Sequence, residues 1–156
     1  MGGSRQLRMG FLPGYGRLTA FEAQQTAPLV LAYLGDAVFE LYVRDRLLTG
    51  VARPAAELHR QTVMRVRATA QATALRTSLG QLTDDETDVA RRARNTRCPS
   101  YRNIEPADYH YSTAFEAVLG YLYLTGREDR LLALMSQAFE VSNTEGTNGG
   151  HRPEDE

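Results

Sequence analysis

The chain has 156 residues, enough for one globular domain but few for two, and its 42% hydrophobic and 24% charged content is ordinary for a soluble protein. It has no apolar run near the roughly 18 residues that a membrane span needs, and no apolar stretch followed by a small-residue cleavage site marks a secretory signal. The single cysteine, Cys98, excludes an internal disulfide bond and indicates a reducing compartment, with the cytoplasm as the default.

The net charge of −1 hides an uneven distribution of arginine, the only basic residue apart from histidine. Residues 53–102 contain ten arginines and five acids, a local charge of +5, whereas the remainder contains eight arginines and fourteen acids. Such a molecule can present one basic face to a phosphate backbone, so the clustering points to nucleic acid. An ordinary solvated face is the alternative interpretation.

The N-terminal third predicts a flexible leader, a short helix and a long central helix. Residues 1–18 are rich in glycine, which indicates irregular structure. A short helix is expected over residues 19–25, and Pro28 suits the first turn of a helix that runs to about Thr49 and stops at Gly50.

The central helix is strongly apolar and contains Asp36 directly after Gly35. Its apolar positions recur at spacings of three and four residues and therefore share one face. Asp36 is expected to lie among groups that cannot hydrate it, so it needs a metal, a cation or several hydrogen-bond donors. A structural acid bonded to an arginine or a helix end is the alternative. The apolar positions are Leu31, Leu34, Val38 and Leu41, with Tyr33, Ala37 and Phe39 beside them.

The basic middle of the chain predicts one long helix, a capped helix and an arginine-rich loop. Residues 54–79 are expected to form a single helix between Pro54 and Gly80, and Thr83 to Glu86 form a capping box that starts the next helix. Five arginines then fall within residues 91–102 without an acid among them. Guanidinium groups make fork-shaped bonds to phosphates, so this cluster is predicted to bind RNA, a solubility loop being the alternative. The predicted RNA-binding residues are Arg91, Arg92, Arg94, Asn95, Arg97 and Arg102.

A second apolar helix, over residues 112–124, carries Glu116 as its only acid. Solitary carboxylates on two core helices can together hold a divalent cation, which removes their repulsion, polarises a phosphate and activates a water. Glu105, Asp108 and His110 precede this helix, and the sequence does not decide which of them, if any, assists the site. A last helix is expected over residues 128–141. The foldable domain is thus predicted over residues 19–142, followed by a disordered polar tail over residues 143–156.

Two motifs carry a family resemblance. Leu34-Gly35-Asp36-Ala37 resembles the signature of the ribonuclease III endonuclease domain, and residues 115–120, FEAVLG, resemble the second acidic motif of that family. Within the family, the chain resembles the Mini-ribonuclease III branch, which has the nuclease domain and no double-stranded-RNA-binding domain. The resemblance covers roughly residues 24 to 140 and includes Leu58-His59-Arg60, Ala70-Gln71-Ala72 and Arg94-Asn95.

Three departures from the longer ribonuclease III enzymes restrict the expected site. Leu29, Ala32 and Thr113 stand where those enzymes have acids, a reduction that the Mini-ribonuclease III branch shares. Only Asp36 and Glu116 therefore carry over as catalytic and metal-binding residues. The resemblance implies Mg²⁺ as the cofactor, with Mn²⁺ as a substitute.

The resemblance also implies a fold and an activity. The expected fold is the all-α ribonuclease III endonuclease type, and the helical periodicity alone predicts about six helices and no sheet. The implied enzyme cleaves double-stranded RNA to 5′-phosphate and 3′-hydroxyl ends and matures the 23S ribosomal RNA precursor of the large subunit. It is a C2 homodimer in which each active site cuts one strand, and Tyr33 is expected at the dimer contact. A non-catalytic RNA-binding module and a helical protein-interaction domain are the alternatives.

Overall fold

The computed structural model describes residues 12–97 and 104–145, with only the backbone described at positions 144 and 145, and every regular element there is helical. The all-α prediction is confirmed, with seven α-helices in these ranges where about six were expected. None of these helices combines the length and the hydrophobicity that crossing a membrane requires. They are α1 (Ala20–Gln25), α2 (Pro28–Leu48), α3 (Ala55–Val66), α4 (Ala68–Ser78), α5 (Asp84–Arg94), α6 (Pro106–Leu124) and α7 (Glu128–Glu145).

Helix α6 forms the centre of the molecule. It packs against α2, α4, α5 and α7, and nearly every side chain from Ser112 to Tyr123 is buried. Phe115 meets Phe39 of α2 edge to face, with ring centroids 5.2 Å apart. Because neighbouring helices surround α6, its single glutamate in this stretch is held at a fixed place in the core.

The predicted single helix over residues 54–79 is wrong, because Arg67 separates α3 from α4. Arg67 has an extended backbone, with φ −62° and ψ 153°. The Nε2 of Gln71 donates to the carbonyl oxygen of Val66 over 2.8 Å, so a side chain satisfies one of the carbonyls left open at the end of α3. Neither proline nor glycine marks this break in the sequence. It redirects α4 along α6 and accounts for the seventh helix.

Helices α2 and α6 touch backbone to backbone at two glycines. A Cβ atom added to Gly35 would lie 1.7 Å from the carbonyl oxygen of Glu116, and one added to Gly120 would lie 2.0 Å from that of Leu31. No side chain larger than hydrogen fits at either position without separating the helices. The glycine before Asp36 is therefore required by packing.

The described part of the N-terminal segment is attached to the domain. Of the leader predicted over residues 1–18, residues 12–18 lie against the end of α6, where the amides of Gly16 and Leu18 donate to the carbonyls of Tyr123 and Leu124 over 3.0 and 2.9 Å. At the other end, α7 continues to Glu145, beyond residue 141, where the last helix was expected to end, and beyond residue 142, the expected end of the domain. Residues 1–11 and 146–156 lie outside the described residues, so leader and tail stay predictions there.

Candidate active site

The glycine contact brings the two predicted carboxylates together. Asp36 follows Gly35 on α2 and Glu116 lies one turn before Gly120 on α6, so the two carboxyl groups are close enough for each to shift the pKa of the other. Asp36 is exposed, in contrast to the expectation that its apolar neighbours would shield it from water, whereas Glu116 is half-buried. The expectation fails because several apolar neighbours of Asp36 on α2 also face solvent.

Both carboxyl groups have raised pKa values. Burial, followed by the negative charge of Asp36, raises the pKa of Glu116 to about 8, against a smaller lowering by the amide of Gln71. Burial and the nearby charge of Glu40 raise the pKa of Asp36, while the hydrogen bond from Glu116 opposes this shift. At this distance a protonated Glu116 can donate a hydrogen bond to the Asp36 carboxylate. Two carboxylates this close repel each other when no cation compensates their charges. The pair therefore keeps one proton.

Gln71, at the start of α4, is the neighbour of the pair that the sequence analysis did not single out as a site residue. Its side chain is 1% exposed, and its amide interacts with Glu116 as well as with the carbonyl of Val66. Its Oε1 is buried and has no hydrogen-bond partner. The available signal in the sequence was a polar residue among alanines in the Ala70-Gln71-Ala72 segment, which is part of the family resemblance, whereas periodicity gave Gln71 no role.

This donor set suits a hydrated Mg²⁺ ion. Its oxygens are hard ligands, and the unpaired Oε1 of Gln71 can accept a hydrogen bond from a coordinated water. Among the described residues, no group of three or more histidine, cysteine or acidic side chains has the arrangement of a metal site. Mg²⁺ keeps several waters and is bound in proteins by one or two carboxylates, so two carboxylates suffice for it, whereas a dehydrated Zn²⁺ site would need more ligands.

Comparisons with known proteins decide the family. The Ribonuclease III domain matches residues 29–127. Mini-ribonuclease 3 of a Thermoanaerobacter species is 39% identical over 85% of this chain and 94% of its own length. Mini-ribonuclease 3 of a Synechocystis species is 47% identical over 72% of this chain and 79% of its own. The chain belongs to the ribonuclease III family.

Because the chain belongs to the ribonuclease III family, the prediction that it is an endoribonuclease is confirmed. This prediction is preferred to the alternative of a non-catalytic binding module. The fold agrees: the X-ray structure of a protein from Fusobacterium nucleatum matches 73% of this chain and 92% of that one, with a TM-score of 0.69 at 25% identity. The three departures from the longer enzymes put uncharged residues at positions 29, 32 and 113. The candidate site of this ribonuclease III domain therefore contains two acids, Asp36 and Glu116.

The predicted arginine cluster is partly a helix and partly a loop. Arg91 and Arg92 lie on α5, where Asp88 pairs with both and Gln24 accepts from Arg92 over 3.0 Å. Arg94 ends α5 and lies over the ring of Tyr111, 4.7 Å from its centroid, and Tyr111 precedes Glu116 by five residues, or about 8 Å of helix. Asn95 and Arg97 are exposed after the helix, and Arg102 lies outside the described residues.

The three undecided residues precede Glu116 by six to eleven residues and lie in α6 or directly before it. Asp108 is eight residues before Glu116, about 12 Å along α6, and pairs with Arg76 over 3.1 Å. Glu105 precedes the first turn and is exposed, and the ring of His110 packs against Tyr109. None of the three has a described contact with the carboxyl pair.

We expect the cation-free protein to lose thermal stability as the pH rises from about 5 to about 8. The pKa of Glu116 is about 8 in the folded protein against 4.5 in an unfolded chain, so in this range only the folded state keeps the proton. Rising pH therefore favours the unfolded state. Melting temperatures in EDTA measure the slope, and Glu116→Gln is expected to flatten it. An equal slope in both proteins would contradict the shared proton.

Proposed function

We propose that this ribonuclease III family member cleaves double-stranded RNA with Mg²⁺ held by Asp36 and Glu116, and that it matures the 23S ribosomal RNA precursor in the cytoplasm. The observation that carries the proposal is the carboxyl pair, which two core helices hold close together although no cationic side chain is described beside it. Bound Mg²⁺ would supply an activated water and offset charge on the phosphate. Mn²⁺ has similar ligand preferences and is proposed to substitute.

The protein side chains hold and orient the site in this proposal. Asp36 and Glu116 supply negative oxygens, and the amide of Gln71 fixes the orientation of the Glu116 carboxylate. The exposed side of Asp36 leaves room for a phosphodiester to approach from solvent.

We propose the end of α5 as part of the RNA contact. Arg94 and Arg97 are exposed, and Arg94 is anchored on Tyr111 within two turns of Glu116. Exposed guanidinium groups bind a nucleic-acid duplex mostly by neutralising its phosphates. The other proposed members of this contact are Arg91, Arg92, Asn95 and Arg102.

We further propose a C2 homodimer through α2. Apolar side chains form an exposed stripe on this helix, and Tyr33 is 84% exposed within it. With 21 residues, α2 is about 31 Å long, and its stripe presents the same surface to a second copy in a two-fold arrangement. Contiguous exposed apolar surface of this kind usually marks an interface. The large exposed members are Leu29, Val30, Tyr33, Leu41 and Leu48.

Tyr33→Asp is expected to weaken the dimer and the nuclease activity together. A charge in the middle of the stripe would have to be desolvated on association, at a cost of several kcal/mol. Sedimentation velocity and cleavage of duplex RNA measure the two effects on the same samples. Leu79→Asp, which charges an exposed leucine outside α2, is the matched control and should leave both unchanged. A fully active Tyr33→Asp monomer would contradict the dimer.

The cleavage assay for the proposed function compares duplex with single-stranded RNA, each with Mg²⁺ and with EDTA. We expect cuts only in the duplex and only with Mg²⁺, leaving 5′-phosphate and 3′-hydroxyl ends. A base-paired stem from a 23S precursor should be cut faster than an arbitrary duplex of equal length. Binding without any cleavage under these conditions would overturn the proposal. Equal cleavage rates on the two duplexes would contradict only the proposed role in maturing the 23S precursor.

A further inference from the structure

A second basic region lies outside the Arg91–Arg102 cluster. The C-terminal ends of α2 and α3 and the C-terminal half of α7 border an open pocket of about 320 Å³, and Arg46, Arg53 and Arg65 line it together with Phe139. These arginines come from three separate segments of the chain. We refer to this region as the arginine pocket.

Two of the three guanidinium groups are held firmly. Arg46 and Arg65 both lie over the ring of Phe139, 4.1 and 4.4 Å from its centroid. Arg65 also donates to the main-chain and side-chain oxygens of Gln61 over 3.0 and 2.7 Å, and to Asn143. Its Nε is buried and lacks a hydrogen-bond partner. A preorganised guanidinium loses little freedom when it binds a further group.

The positive charge of the pocket is only partly compensated. Glu140 pairs with Arg46. Glu57, which is near enough to Arg53 to interact with its charge, is already paired with Arg60 over 2.7 Å. Arg53 is exposed and has no ion pair or hydrogen bond within the described residues. Burial, followed by the charges of Arg53 and Arg46, lowers the pKa of Arg65, and the charge of Glu140 opposes this shift.

The arginine pocket is connected to the carboxyl pair through short contacts. Arg65 is adjacent to Val66, whose carbonyl accepts from Gln71, and Gln71 in turn interacts with Glu116. Along α2, Arg46 follows Asp36 by ten residues, which is about 15 Å of helix. A bound duplex presents phosphates closely spaced along both strands, so phosphates a few nucleotides from the cut can lie at this distance.

We infer that the arginine pocket binds a backbone phosphate of the RNA duplex whose cleaved bond lies at Asp36 and Glu116. The inference rests on the proposed function. Planar guanidinium groups match phosphate oxygens with paired hydrogen bonds, and Arg53 completes the set once the anion is present. The pocket therefore fixes where the duplex lies relative to the carboxyl pair, in addition to any contact at the end of α5.

Arg53→Ala tests this inference, because Arg53 has the least structural role of the three arginines. Asp36→Asn serves as the background to prevent cleavage, and the duplex dissociation constant is measured at several salt concentrations. We expect binding to weaken about three- to tenfold and the salt slope to fall by about 0.9, the value for one lost phosphate contact. Arg53→Lys should recover part of the affinity, since it keeps the charge and loses the fork.

Arg17→Ala is the matched control, since it removes an equal charge from an exposed site at the other end of the domain. If Arg53→Ala and Arg17→Ala bind duplex RNA equally well, the inference is overturned while the proposed function stands. If the background protein has no affinity for duplex RNA, both fail. If inorganic phosphate stabilises the protein through Arg53 but RNA affinity is independent of it, the pocket takes free phosphate and the assignment to RNA is wrong.

Discussion

Asp36→Asn is expected to lower the kcat/KM for duplex RNA about a thousandfold or more. Asparagine is nearly isosteric but neutral, and a hard cation needs the negative oxygen. Losing a metal that stabilises the transition state by several kcal/mol corresponds to a rate loss of this size. Because Asp36 is exposed and its pKa is raised, the neutral side chain should not destabilise the cation-free fold. Circular dichroism and the dissociation constant for duplex RNA should therefore change little.

The matched control for this substitution is Asp45→Asn. Asp45 is an exposed acid on the same helix, so its replacement changes the net charge equally without touching the carboxyl pair. It should cleave at the wild-type rate. If Asp36→Asn also cleaves at that rate, the catalytic site has been misplaced. A large loss in both variants would instead indicate an effect of charge on RNA binding, which the dissociation constants would reveal.

Glu116→Gln is expected to be nearly as damaging at low Mg²⁺ and to recover in part at high Mg²⁺ or with Mn²⁺. Glu116 is protonated up to a pH of about 8 in the cation-free protein, so glutamine replaces a neutral group and the fold should be kept. The lost function is cation affinity, which mass action can offset when the remaining geometry is intact. Metal titrations of the cleavage rate measure this recovery directly.

Glu105→Gln is the control for this second substitution, since Glu105 is an exposed acid at the start of the same helix. It should show wild-type metal dependence, which would also exclude Glu105 from the site. A Glu116→Gln variant that is fully active at low Mg²⁺ would contradict a metal-binding role. The melting temperature of Glu116→Gln in EDTA should equal or exceed that of the wild type. A lower melting temperature would show that the variant is inactive because it unfolds. It would also contradict the expectation that glutamine replaces a neutral group.

The sequence predicted which helices carry the two acids because local signals mark them. Gly35 and Asp36 interrupt an apolar pattern, and Glu116 is the only acid in another. Pro28, Gly50 and the capping box at Thr83 also indicate helix limits close to those of the structure. These signals depend on neighbouring residues only, which is why a single sequence contains them.

The features that the sequence did not predict depend on contacts between distant segments. The break at Arg67 is completed by a side chain that also reaches Glu116, and no local residue type announces it. The exposure of Asp36 could not be inferred from apolar periodicity, because periodicity does not distinguish a face covered by the core from one left open. Nor does the sequence show that Asp88 and Gln24 already pair with Arg91 and Arg92.

The main chains of α2 and α6 touch at Gly35 and Gly120. The distance between the two acids therefore does not depend on the size of most core side chains. Elsewhere, exchanging one apolar residue for another shifts the helices it separates, and such drift accumulates as sequences diverge. Here the two main chains are already at their closest approach, so no side chain acts as the spacer. The remaining core can therefore change its composition while the acids keep their separation. The same two-helix crossing could be transplanted into a designed bundle as a minimal carboxylate pair.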